Sequence, residues 1–181
     1  MIRSLDEFRQ DSIKKLEKVS GDPLREYMEL FSAATGLSKT HALTNFFEVN
    51  SKRVGDLRLL EKYISQRCTG MPLPYITGIE GFWKKEFRVT ADTLIPRPET
   101  ELLVELILSE NKRKCLKVLD LGTGTGAIGI SIAEEMPNWK ITATDISLLA
   151  LRTAKINSRG LKNINFVQCF WLNSIGTSFD I

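Results

Sequence analysis

Histidine and cysteine are scarce in this chain, and their scarcity removes several kinds of chemistry before any motif is considered. The 181 residues hold one histidine, His41, and three cysteines, Cys68, Cys115 and Cys169, odd in number and widely separated. That argues against a disulfide framework and against a zinc site. It also leaves no Cys–His pair, and no paired carboxylates stand out for acid–base work. His41 reads as a surface or helix-packing residue. No apolar run is long enough to cross a bilayer, and the N-terminus, Met1-Ile2-Arg3-Ser4-Leu5-Asp6-Glu7, lacks the basic-then-apolar layout of a secretory signal. A cytoplasmic protein is expected. The formal charge of +3 is spread evenly along the chain, which speaks against direct nucleic-acid binding. What remains, at 43% hydrophobic and 26% charged residues, is the composition of a soluble globular protein with room for one domain and a small appendage.

The first seventy residues punctuate as short helices. Ser4-Leu5-Asp6-Glu7 forms a capping box ahead of Leu5, Phe8, Ile13 and Leu16. Asp22-Pro23 opens a second helix carrying Leu24, Tyr27, Met28, Phe31 and Ala34, which Gly36 stops. Ser38 caps a third with Leu43, Phe46 and Phe47, and a fourth runs from about Asp56 to Gly70 with Leu57, Leu60, Tyr63 and Ile64. Helices this short must bury their stripes against one another, so residues 1–72 are expected to form a small all-α bundle. The prolines of Met71-Pro72-Leu73-Pro74 break the pattern, and Tyr75 to Ile95 is rich in aromatic and β-branched residues. Residues 73–98 are therefore read as a linker with a β-hairpin.

From residue 99 the pattern changes. A helix with Leu102, Leu103, Leu106 and Ile107 leads into strand Lys117–Leu121, helix Ala127–Met136, strand Lys140–Asp145, helix Leu148–Asn157 and strand Ile164–Cys169. Such alternation implies right-handed crossovers and a parallel sheet in an α/β domain over 99–181.

Between the first strand and its helix lies Gly122-Thr123-Gly124-Thr125-Gly126, where the missing side chains let a ligand approach the backbone. At the end of the next strand Asp145 stands where a carboxylate can accept hydrogen bonds from both hydroxyls of a ribose. Loop plus acid describes a nucleoside-bearing cofactor. The glycines alone also satisfy a dinucleotide fingerprint, and an NAD(P)-dependent oxidoreductase is the competing enzyme reading. Asp120, two residues before the first glycine, tilts the choice: a carboxylate there suits the ammonium of S-adenosylmethionine, which has no pyrophosphate. The plainer reading is that Asp120 caps a turn and Asp145 caps the following helix.

Four stretches, Gly70 to Gly78, Leu94-Ile95-Pro96-Arg97-Pro98-Glu99-Thr100-Glu101, Val118 to Gly126, and Asp145-Ile146-Ser147 with Ala150, Leu151 and Ala154, resemble the HemK/PrmC family of protein-(glutamine-N5) methyltransferases. The resemblance implies a class I (Rossmann-like) methyltransferase domain behind a small helical bundle that helps grip the substrate. It implies S-adenosylmethionine as cofactor, and methylation of the glutamine in the Gly-Gly-Gln motif of peptide chain release factors by a monomer. Asp120, Gly122, Thr123, Gly124, Thr125, Gly126, Asp145 and Trp171 would then meet the cofactor, and Pro96, Arg97, Pro98, Glu99 and Thr100 the substrate pocket. Relatives often carry an acid before that tryptophan, where this chain has Phe170. In the family an Asn-Pro-Pro-Tyr motif follows a fourth strand. This chain ends on that strand, at Ser178-Phe179-Asp180-Ile181. A truncated chain, inactive by itself and without a nameable catalytic residue, is the expectation, with a non-catalytic release-factor-binding module as the other alternative.

Overall fold

The computed structural model describes residues 5–36, 57–110, 115–173 and 175–181, which divide into two compact units, Met1–Thr77 and Gly78–Ile181. Each is described by itself.

The first unit contains α1 (Leu5–Leu16), α2 (Pro23–Thr35), α3 (Leu57–Cys68) and α4 (Leu73–Thr77). Asp22 starts α2 by accepting a hydrogen bond from Arg25 N–H, Pro23 occupies the first turn, and Gly36 ends the helix in the left-handed conformation that glycine adopts without strain. Leu16, Tyr27, Met28, Leu30, Phe31, Leu60, Ile64 and Ile76 form the core. Leu24, expected on the buried stripe, is exposed, and Leu30 takes a core place instead. The expected Ser4 cap and the third helix with Leu43, Phe46 and Phe47 lie outside the described residues.

One polar device ties this unit together. Arg67 donates from Nε and one terminal nitrogen to both carboxylate oxygens of Glu26, at 2.7 and 3.0 Å, and also to the carbonyl of Val19 at 2.9 Å. A planar fork meeting a carboxylate in this way is a strong arrangement when partly buried. Arg67→Ala is expected to cost about 2 kcal/mol of unfolding free energy, since Glu26 and Val19 lose charge-assisted partners together. Urea unfolding checks this, and Arg67→Lys, unable to reproduce the fork, should recover only part of the loss.

The stretch read as a linker is corrected by α4. Pro74 falls in the first helical turn, where its missing N–H costs nothing. Ile76 is buried in the helical core and Leu73 packs on it. The helical unit therefore runs to Thr77.

The second unit begins with a hairpin of β1 (Ile79–Phe82) and β2 (Lys85–Arg88), antiparallel and joined at Trp83-Lys84. It too is no linker. Phe82 and Phe87 lie fully inside this unit's core, edge to face at 6.0 Å, beside Val104, Val118, Trp139 and Ile141. A two-stranded hairpin is marginal alone, and burying two phenylalanines supplies what the ladder lacks, about 2 kcal/mol each. Trp83 takes the left-handed φ of 57°, unusual for a bulky residue. Its N–H donates to Glu101 at 2.8 Å and its indole N–H to Glu135 at 2.9 Å, which offsets that strain.

After the turn Pro98–Thr100 and α5 (Glu101–Glu110) come β3 (Lys117–Leu121), α6 (Ala127–Glu135), β4 (Lys140–Asp145), α7 (Leu148–Asn157) and β5 (Ile164–Gln168). The strands form a parallel sheet in the order β3-β4-β5, with Asp120 opposite Ala143 and Asp145 opposite Gln168. In α5 the apolar face differs from expectation. Val104, Ile107 and Leu108 face the core, whereas Leu102, Leu103 and Leu106 are exposed. The helix is apolar nearly all round, so periodicity had two faces to choose from.

The last residues run along the other edge of β3: Asp180 N–H donates to the Lys117 carbonyl at 2.8 Å, and Leu119 N–H to the Ile181 carbonyl at 2.9 Å. The chain thus lays β4 and β5 on one side of β3 and returns to the other. The C-terminal end of β3 is the point where the topology reverses, which is where open α/β sheets leave a crevice.

Candidate cofactor site

The glycine loop leaves β3 at that crevice. Gly122, Gly124 and Gly126 all have positive φ, at 71°, 56° and 84°, so any other residue there is strained. Their tasks differ. A Cβ built on Gly122 or Gly124 meets nothing within 4 Å, whereas one on Gly126 falls 2.5 Å from Ile130 Cδ1 and 3.2 Å from Ala154 Cβ. The first two keep space open outside the loop, and the third lets α6 and α7 close together inside it.

Asp145 ends β4 beside the loop. Its Oδ2 accepts from Gly124 N–H and its Oδ1 from Ser147 N–H, both at 2.9 Å. The cap of α7 is Ser147, whose hydroxyl oxygen accepts from Ala150 N–H, so Asp145 is not spent on that helix. Each of its oxygens retains a lone pair.

Asp120 faces the other way. Its carboxylate is buried, and Oδ2 accepts from the Thr123 hydroxyl at 2.6 Å and from Gly129 N–H, in the first turn of α6, at 3.1 Å. A Cβ on Gly129 would lie 2.9 Å from that oxygen, so the glycine makes the approach possible. Burial holds the Asp120 carboxyl above its ordinary range, the two hydrogen bonds pull it back, and the nearby Asp145 charge adds to the rise. Thr123 and Thr125 are buried with it.

Beyond the loop lies a cavity of about 300 Å³. Leu121, Gly122, Thr144, Asp145 and Ile146 line one side, and Cys169, Phe170 and Trp171 the other. Trp171 is 69% exposed, so it is no core aromatic, and has a left-handed φ of 52°. Cys169 donates from Sγ to its carbonyl at 3.0 Å. The sequence-derived residues Gly122, Asp145 and Trp171 thus meet at one cavity. Pro96, Arg97, Pro98, Glu99 and Thr100 do not line it. They lead into α5, with Arg97, Pro98 and Glu99 exposed.

Sequence reasoning missed Asn157, whose side chain reaches the glycine loop at Thr125 and the hairpin at Arg88. An asparagine at a helix end carries no sequence signal for such a bridge. Among the described residues no cluster of His, Cys, Asp and Glu suits a metal ion, and no helix is long and apolar enough to cross a membrane.

Residues 7–78 match the PrmC N-terminal domain and residues 112–181 a methyltransferase domain. The release factor glutamine methyltransferase of Coxiella burnetii is 46% identical over 65% of this chain and 44% of its own length. Those of Salmonella typhimurium and of Buchnera aphidicola from Acyrthosiphon pisum are 34% and 37% identical, over 90% and 94% of this chain and 59% and 61% of theirs. Among solved structures, the ribosomal protein L11 methylase of Lactobacillus delbrueckii is 27% identical over 44% of this chain and 42% of that one, with a TM-score of 0.39. The chain spans about half the length of the curated relatives it matches, and over that span, with a match to a PrmC N-terminal domain followed by a match to a methyltransferase domain, it is similar to release factor glutamine methyltransferases.

Proposed function

We propose that this chain supplies the cofactor cradle of an S-adenosylmethionine-dependent enzyme that N5-methylates the glutamine of the Gly-Gly-Gln motif in peptide chain release factors. In this reading the helical unit contributes to gripping the release factor. The observation that carries the proposal is the meeting of Gly122, Asp145 and Trp171 at one cavity, at the point where the sheet reverses. The residues fit such a cofactor. Gly122 leaves open space beside the strand end, Asp145 offers the free lone pairs a ribose needs, and Ile146, Phe170 and Trp171 present exposed apolar surface to a base. When bound, S-adenosylmethionine supplies a methyl group on an electrophilic sulfonium, so the protein's task is chiefly to orient the acceptor nitrogen.

The buried carboxylate of Asp120 speaks against a dinucleotide for a reason the sequence did not give. In dinucleotide-binding folds the pyrophosphate sits on the helix N-terminus. Here Gly129 N–H, in the first turn of α6, is already taken by Asp120, and its negative charge opposes a second anion.

The test is calorimetry with S-adenosylhomocysteine and with NAD, followed by transfer of a labelled methyl group to a release factor by the protein extended to the length of its relatives. Binding of S-adenosylhomocysteine alone, and loss of labelling when the Gly-Gly-Gln glutamine is replaced, are the expected results. Tighter binding of NAD, or labelling that survives the replacement, overturns the reading. Asp145→Ala is expected to weaken S-adenosylhomocysteine binding by about tenfold or more, the worth of a hydrogen bond to a charged group.

A further inference from the structure

Asn157, the last residue of α7, makes three hydrogen bonds through its side-chain amide, using both of its donors. Nδ2 donates to the Thr125 carbonyl in the glycine loop at 2.9 Å and to the Arg88 carbonyl in β2 at 3.0 Å, while Oδ1 accepts from Arg88 N–H at 2.8 Å. It is not spent on its own helix, whose cap is Ser158, with its N–H on the carbonyls of Ala154 and Ile156. One amide therefore joins segments 32 and 69 positions away from it.

We propose that Asn157 is a positioning residue of the cofactor site, fixing the glycine loop to the hairpin and so holding Gly124 N–H on Asp145. Thr125 lies between two left-handed glycines, and a backbone so permissive needs an external restraint to keep a single conformation. The anchor at the other end is stiff. Phe82 and Phe87 are sunk in the core, and Trp83 and Lys84 both hold Glu135 on α6. Lys85 adds a bond from Nζ to the Asn157 carbonyl at 3.2 Å. The hairpin thereby becomes part of the cofactor site without touching the cavity. The inference rests on the reading of this loop as a cofactor cradle.

Asn157→Asp tests it, because a carboxylate still accepts from Arg88 N–H but has nothing to donate to the two carbonyls. Amide hydrogen exchange at Thr123 to Gly126, without ligand, is expected to rise about tenfold, with S-adenosylhomocysteine affinity falling by a similar factor. Exchange in β4 and β5 should stay near that of the unaltered protein. Asn157→Ser, which keeps one donor, should fall between. Asn163→Asp, which removes a comparable pair of amide donations, to the carbonyls of Ala133 and Met136 rather than to the loop or the hairpin, should leave loop exchange unchanged. Unaltered loop exchange in Asn157→Asp, or an equal rise throughout the sheet, overturns the proposal. Should the unaltered protein fail to bind S-adenosylhomocysteine, the cofactor reading falls, while the exchange pattern still decides what Asn157 does.

Discussion

Gly126→Ala is expected to remove about 3 kcal/mol of stability, the largest effect of any single methyl group added to the glycine loop. Two costs combine. The backbone φ of 84° disfavours any L-residue by about 1–2 kcal/mol, and the new Cβ enters 2.5 Å from Ile130 Cδ1 in a filled core, where overpacking costs a further 1–3 kcal/mol. Ile130 is fully buried and Ala154 closes the other side at 3.2 Å, so neither has room to retreat. Gly122→Ala carries only the first cost, since its Cβ meets nothing within 4 Å. It faces the cavity, however, so its larger effect is expected on ligand affinity. Thermal unfolding and calorimetric titration of the two variants should rank them in opposite orders. A Gly126→Ala protein as stable as its parent would show that α6 and α7 do not depend on that close approach.

This division of labour among the glycines was only half legible in the sequence. The motif announced an open backbone, which Gly122 and Gly124 provide, and the left-handed conformation of all three glycines emerges only in the structure. The motif could not tell which glycine faces a ligand and which faces Ile130, because that depends on where α7 packs. The parallel sheet and its helices followed from alternation, and the pairing of the glycine loop with Asp145 from their spacing, whereas Trp171 was expected only from the family resemblance. The hairpin was visible as strands but misplaced as a linker. Its attachment comes from Phe82, Phe87 and Trp83 finding partners far along the chain. The prolines of 72–74 pointed to a break, yet a proline in a helix's first turn looks the same in sequence as one in a linker. Asn157 gave no signal, because its partners are main-chain atoms of residues in other elements, which impose no residue type.

Asp120 is where the sequence and the structure suggest different experiments, and Asp120→Asn separates them. The carboxyl is held above its ordinary value first by burial, so the folded protein takes up a proton more readily than the unfolded chain. Its contribution to stability is therefore fully present below the unfolded value of about 4 and is lost as pH rises through the folded value. Asparagine abolishes this dependence while keeping both bonds, since its carbonyl oxygen in the place of Oδ2 accepts from Thr123 and Gly129 alike. The difference in unfolding free energy between variant and parent should shift in favour of asparagine as pH rises from acid to neutral. Asp120→Leu, which strands a buried hydroxyl and a buried N–H, should instead cost about 3 kcal/mol. Cofactor affinity settles the role. If Asp120 chiefly staples the loop, Asp120→Asn retains S-adenosylhomocysteine binding and relaxes the exclusion of pyrophosphate-bearing ligands from α6. If the carboxylate grips an ammonium group, as its position in the sequence suggested, the same variant stays folded and loses affinity, because an amide leaves that cation without its countercharge.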